Sequence, residues 1–133
     1  MTIKRFLIQL ILPLTLILAS CKGNQENRII GVWKQTRFDA LPEDLPYYEW
    51  EFTSDNDLIK YEITDLEKKF STTGRWGFTK SNRLNITKFD IGFNGEWEII
   101  TLKNGVLRMV LKVIDEDTGQ GAGQVLVEFV QER

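Results

Sequence analysis

From Ile29 onward the apolar residues recur at every second position far more often than at every third or fourth, and Gly, Asn and Asp interrupt them. That is the pattern of short strands with one buried face. Eight strands are predicted, over residues 29–38, 47–53, 58–64, 70–79, 83–89, 96–102, 106–114 and 125–132. The second is the plainest. Tyr48, Trp50 and Phe52 fall on one face while Glu49 and Glu51 fall on the other, so one side is dry and one is wet. The same alternation groups Ile59, Tyr61 and Ile63, then Trp76 with Phe78, Leu84 with Ile86, and Val125 with Val127 and Phe129 as a common inward face. The seventh strand is apolar on both sides, so the pattern leaves its inward face open, and with it the direction of Arg108.

The connections alternate in length. Those at 54–57, 80–82 and 103–105 are short, and Asn104 followed by Gly105 suits a type I′ hairpin turn. Those at 39–46, 65–69, 90–95 and 115–124 are mostly longer. In an up-and-down meander the two sets lie at opposite ends, one tight and one looped, and the chain enters its first strand at the tight end. Eight antiparallel strands with an apolar inner face lose their exposed edges most simply by closing on themselves. The expected fold class is therefore all-β, an eight-stranded antiparallel up-and-down barrel, with an open sheet as the alternative.

Ahead of the strands, Lys4 and Arg5 precede an apolar run over 6–18, interrupted by Gln9, Pro13 and Thr15 and too short to span a bilayer. It ends in Leu18, Ala19, Ser20 and Cys21, which resembles the lipobox of bacterial lipoproteins. The resemblance implies a signal peptide over 1–20, cleavage before Cys21, and a diacylglycerol on its thiol that anchors the chain to a membrane without spanning it. As the single cysteine, Cys21 is then an anchor and neither a nucleophile nor a disulfide partner. Residues 22–28 carry no large apolar side chain and read as a flexible stalk, so the organisation is leader 1–20, lipidated cysteine and stalk 21–28, and strand domain 29–133. The tight end would face the membrane and the looped end would face away. Lys22 is not the aspartate that the lipoprotein resemblance associates with inner-membrane retention, and Glu26 stands alone near the cysteine. Attachment to the outer membrane of the bacterial envelope, facing the periplasm, is expected.

Composition narrows the function classes. Of the 133 residues, the 21 up to the cysteine leave 112, enough for one domain that needs neither metal nor disulfide to fold. Removing Lys4 and Arg5 moves the net charge from −2 to −4, a poor balance for binding nucleic acid. There is no histidine, which removes the usual general base and every triad that needs an imidazole.

Gly31, Val32 and Trp33 open the first strand, and Gly74, Arg75 and Trp76 repeat the motif. With the turn over 52–57 and the spaced pairs Leu84/Ile86, Trp97/Ile99 and Leu107/Met109, the chain resembles the small lipocalin-like domains of bacterial lipoproteins. The resemblance implies that Gly31 and Trp33 close the tight end of the barrel. It also implies that an arginine from the last strand, Arg133, packs over the indole, with Arg108 as the fallback. No helix is predicted after the eighth strand or between the first two, so the barrel is minimal.

An eight-strand interior is just wide enough either to be filled by side chains or to hold one small ligand. Tyr48, Trp50, Phe52, Tyr61, Trp76, Phe78 and Trp97 are the candidate lining residues, and the expected ligand is a small apolar molecule, a fatty acid, lipid fragment or aromatic metabolite, with tyrosine hydroxyls as its polar handles. The alternative is a side-chain-filled barrel whose long loops, 39–46 and 115–124, meet another envelope protein. No enzyme activity and no cofactor is expected. Asp115, Asp117 and Gly119 lack the full spacing of a calcium loop and read as a solvated turn. The pairs Glu49/Glu51 and Glu96/Glu98 read as a wet outer wall, and Lys68 with Lys69 as a solvated doublet.

Overall fold

The structure is a computed structural model that describes residues 24–36, 47–114 and 116–132. The leader, Cys21, the 39–46 loop, Asp115 and Arg133 lie outside the described residues. The elements are β1 (Gly31–Gln35), β2 (Tyr47–Phe52), β3 (Asp57–Ile63), β4 (Lys68–Lys80), β5 (Arg83–Thr87), β6 (Gly95–Lys103), β7 (Val106–Ile114) and β8 (Gly121–Gln131). Each strand pairs antiparallel with the next. β8 returns to β1 with Trp33 opposite Gln131 and Gln35 opposite Phe129, so the eight form a closed up-and-down ring with no open edge. Asn104 and Gly105 both take positive φ, 54° and 72°, as the turn between β6 and β7 requires.

The alternation expected for β2, β5 and β8 holds: Trp50, Phe52, Leu84, Ile86, Val127 and Phe129 are all buried. On β7 the inward residues are Leu107 and Met109, while Arg108 points outward and donates to Glu128 on β8 at 2.8 Å. Arg108 is thus held on the outer wall and does not cover Trp33.

β3 is inverted relative to the expectation. Leu58 and Lys60 face inward, and Ile59, Tyr61 and Ile63 face out. The cause is the hairpin register. Phe52 pairs with Leu58 and Trp50 with Lys60, and directly opposed residues share a face. The predicted boundaries, 53 and 58, would have set Phe52 against Ile59, and a slip of one residue turns every side chain over. The turn itself is closed by Thr53 N–H donating to the Asp57 carbonyl at 2.9 Å, with Asn56 at a φ of 65°.

Two further elements differ. Residues 24–29 are helical where a flexible stalk is expected, and β1 begins only at Gly31. Ile29 is fully buried, and its carbonyl accepts the Trp33 indole N–H at 2.7 Å, which ties the helical turn to the tight end of the ring. The predicted 115–124 loop is also shorter, because β8 starts at Gly121, opposite Ile114 of β7.

Candidate binding site at the looped end

The interior of the ring is buried along most of its length. Near the tight end Trp33, Phe52, Leu58, Leu84, Leu107 and Phe129 are buried, and those with 0% exposure adjoin no water-sized void. Toward the looped end the inward side chains of Tyr48, Leu111 and Val125 are only partly buried, together with Phe93 from the connection between β5 and β6. That connection, residues 88–94, turns into the ring. Lys88 leaves β5 at a φ of 55°, and Phe89 follows it into the interior. A Cβ on Gly74 would come within 2.7 Å of the Thr87 carbonyl and 2.9 Å of the Phe89 Cβ, so only glycine lets the strand end lie this close to β4. Asn94 clamps the connection by accepting from Phe89 N–H at 2.8 Å and donating to the Phe89 carbonyl at 3.0 Å. Trp97 donates its indole N–H to the Phe93 carbonyl at 2.9 Å.

The aromatic side chains meet in two groups. Trp50 packs edge-on against Phe89 and Phe93, with centroids 5.0 and 5.3 Å away, and tilts against Phe129 at 4.9 Å, while Phe93 stacks on Trp97 at 6.3 Å. Lower in the ring Phe52 meets Trp76 at 5.6 Å, and Trp76 meets Phe78 at 6.2 Å. Of the seven expected lining residues, Trp50, Phe52, Trp76, Phe78 and Trp97 are buried in this interior and Tyr48 borders its looped end. Gly31, at a φ of 141°, lies at the other end, where a Cβ would meet the Gln131 side chain at 3.3 Å.

Tyr61 is a correction. It lies on the outer wall, where its hydroxyl donates to Glu51 at 3.3 Å and the Lys68 ammonium sits 4.4 Å from the ring centroid. The outer wall here is drier than a row of charges suggests. Glu49 is buried and pairs with Lys68 at 3.0 Å, so neither Glu49 nor Lys68 is a free solvated charge. Burial, reinforced by Glu51, pushes the Tyr61 phenol above its ordinary range, and the hydrogen bond to Glu49 raises the Lys68 ammonium.

Inside the ring, Lys60 is 8% exposed. Its ammonium lies 2.5 Å from the Asp90 carboxylate and faces the rings of Tyr48 and Phe93, 4.3 and 5.5 Å from their centroids. A cation over an aromatic face is stabilised by the ring quadrupole, and more so when desolvated. Lys60, Phe89, Asp90 and Phe93 were not among the candidates read from the sequence. Lys60 was legible only through the β2–β3 register. Phe93 was legible as a large aromatic in a connection, whereas the expected fifth strand extends to residue 89 and so takes in Phe89, which lies beyond its observed end at Thr87.

Two open grooves on the described surface, of about 820 and 560 Å³, are lined mainly by polar groups such as Lys80, Arg83, Glu96 and Lys112 in the first and Arg28, Lys103 and Gln131 in the second. Neither includes any of the seven expected lining residues, whereas a third open groove, of about 250 Å³, is bordered by two of them, Trp76 and Phe78, beside Arg75, Thr79 and Asn85. No helix among the described residues is long and apolar enough to cross a membrane. Comparison with family models, with curated proteins and with solved structures finds no match for the chain.

Proposed function

We propose that the chain is a lipid-anchored, lipocalin-like barrel of the bacterial envelope that binds a small apolar molecule at its looped end and acts by binding, without catalysis. The anchor in this reading is Cys21, and the favoured location is the periplasmic face of the outer membrane. One observation carries the binding reading. At the looped end four apolar side chains, Tyr48, Phe93, Leu111 and Val125, remain partly accessible around a buried cation, whereas Trp33, Phe52, Leu58 and Leu107 toward the tight end are buried. Apolar surface with a few convergent polar groups is the usual character of a ligand site. The aromatic interior below supplies a rigid floor.

A second reading is favoured by a different feature. At the same end Leu66 is 95% exposed and Ile91 is 100% exposed, each at the tip of a connection, and such side chains suit contact with another envelope protein. Tryptophan emission separates the two. All four tryptophans lie within the ring strands, so titration with fatty acids should move the emission saturably if the site binds them. An unchanged spectrum, with no lipid recovered in a solvent extract of the purified protein, would reject the ligand reading in favour of the interaction module.

A further inference from the structure

Beneath the β5–β6 connection, two donor groups are incompletely paired among the described residues. Lys60 brings an ammonium with three N–H groups, of which the described residues engage one through Asp90. Its cross-strand partner Trp50 brings an indole N–H that is completely buried and has no acceptor among the described residues. A buried donor left unpaired is costly, and a native structure that keeps one has a reason for it. The acceptor that is present, the Asp90 carboxylate, comes from a connection and not from a strand, and its side chain is 32% exposed. Turning that side chain outward into the water it already touches would uncover Lys60 and leave Phe93 and Tyr48 flanking the cation.

We infer that Asp90 holds the place of a ligand's anionic group, and that the molecule bound at the looped end is an amphiphile with a single carboxylate head. In the bound state the head pairs with Lys60 while the tail lies along Tyr48, Phe93, Leu111 and Val125. This inference rests on the ligand-binding reading and adds to it the head group and the residue that selects it. Two other features point the same way. The rings around Lys60 make the site selective for a compact anion with an apolar tail, since a larger polyanion would have to desolvate further charges against aromatic faces. The root of the connection is clamped by Asn94 and Trp97, so the exchange asks for a rotation of one side chain and leaves the fold in place.

The test uses the full chain reconstituted in phosphatidylcholine vesicles and two probes, decanoic acid and decanol, each brominated at the tail end, with quenching of tryptophan emission as the readout. The acid is expected to quench saturably, with an affinity roughly tenfold or more above that of the alcohol, the size of one charge-assisted hydrogen bond. Lys60→Met should abolish the preference for the acid and leave alcohol binding in place, which a merely unfolded variant could not do. Asp90→Asn should tighten acid binding several-fold by weakening the internal competitor. If both probes bind but Lys60→Met leaves the acid preference intact, the head-group assignment is overturned and the apolar-ligand reading survives. If neither probe quenches the parent chain or Asp90→Asn, both fall together.

Discussion

The Asp90 carboxylate lies 2.5 Å from the Lys60 ammonium, so a connection at the looped end neutralises a cation that β3 directs into the ring. The two partners are unequally wet, with side chains 32% and 10% exposed. Removing one partner of a buried pair is damaging chiefly because of the charge left behind. Asp90→Ala, which strands the drier group, is therefore expected to cost about 2–3 kcal/mol. Lys60→Met keeps the apolar stem and leaves a carboxylate that already touches solvent over about a third of its surface, so it should cost about 1 kcal/mol or less. Urea denaturation of the two variants checks the order, and equal losses would contradict it.

Gly74→Ala should act on the same connection from the opposite side. The added methyl would press on the carbonyls of Thr87 and Lys88 and on Phe89, which are backbone or core atoms that cannot step aside. Overpacking of this kind costs about 1–3 kcal/mol. The expected outcome is a lowered urea midpoint together with faster amide exchange at Phe89, whose N–H is otherwise held by Asn94. Unchanged exchange at Phe89 would show that the β4 contact does not support the connection.

Alkaline pH should weaken the outer cluster. Tyr61 and Lys68 both hold their protons more tightly when folded than when unfolded, the phenol chiefly through burial and the ammonium chiefly through its hydrogen bond to Glu49. For both, the stabilisation is complete below the unfolded values and is lost as pH rises through the folded ones, which places the loss above about pH 10. The Lys68 share is small because its side chain is nearly half exposed and screened by solvent. Denaturation midpoints followed between pH 8 and pH 11 should fall more steeply for the parent chain than for the Tyr61→Phe, Lys68→Met double variant. Parallel curves would remove the cluster as the cause.

The proposed anchor has its own test. Expressed in a bacterium fed radiolabelled palmitate, the parent chain should carry label and sediment with membranes, whereas Cys21→Ser should lose both. Label retained on the serine variant would rule out Cys21 as the acceptor.

Within single strands, much was legible from the amino acids alone. Alternation placed Trp50, Phe52, Leu84, Ile86, Val127 and Phe129 inward, because a strand's side chains alternate between two faces and apolar groups gather on the dry one. Asn104 and Gly105 announced their turn because few other residues accept positive φ at both positions. Between strands the same reading failed at β3. Its two faces, Leu58–Lys60 and Ile59–Tyr61–Ile63, differ by less hydrophobicity than one residue of register can overturn, and the more apolar face turned out to be the outer one.

The number of strands, their order along the chain and the alternation of tight and long connections followed from periodicity and turn chemistry, which are local properties that neighbouring residues decide. Ring closure by β8 on β1, the inward turn of Lys60 and the entry of Phe89, Asp90 and Phe93 from a connection were decided by tertiary structure. Strand pairing carries a choice of register that no single strand encodes, and a connection has no period to say which of its side chains turn inward. The packing of Trp50 against Phe89, Phe93 and Phe129 settles what local pattern leaves open.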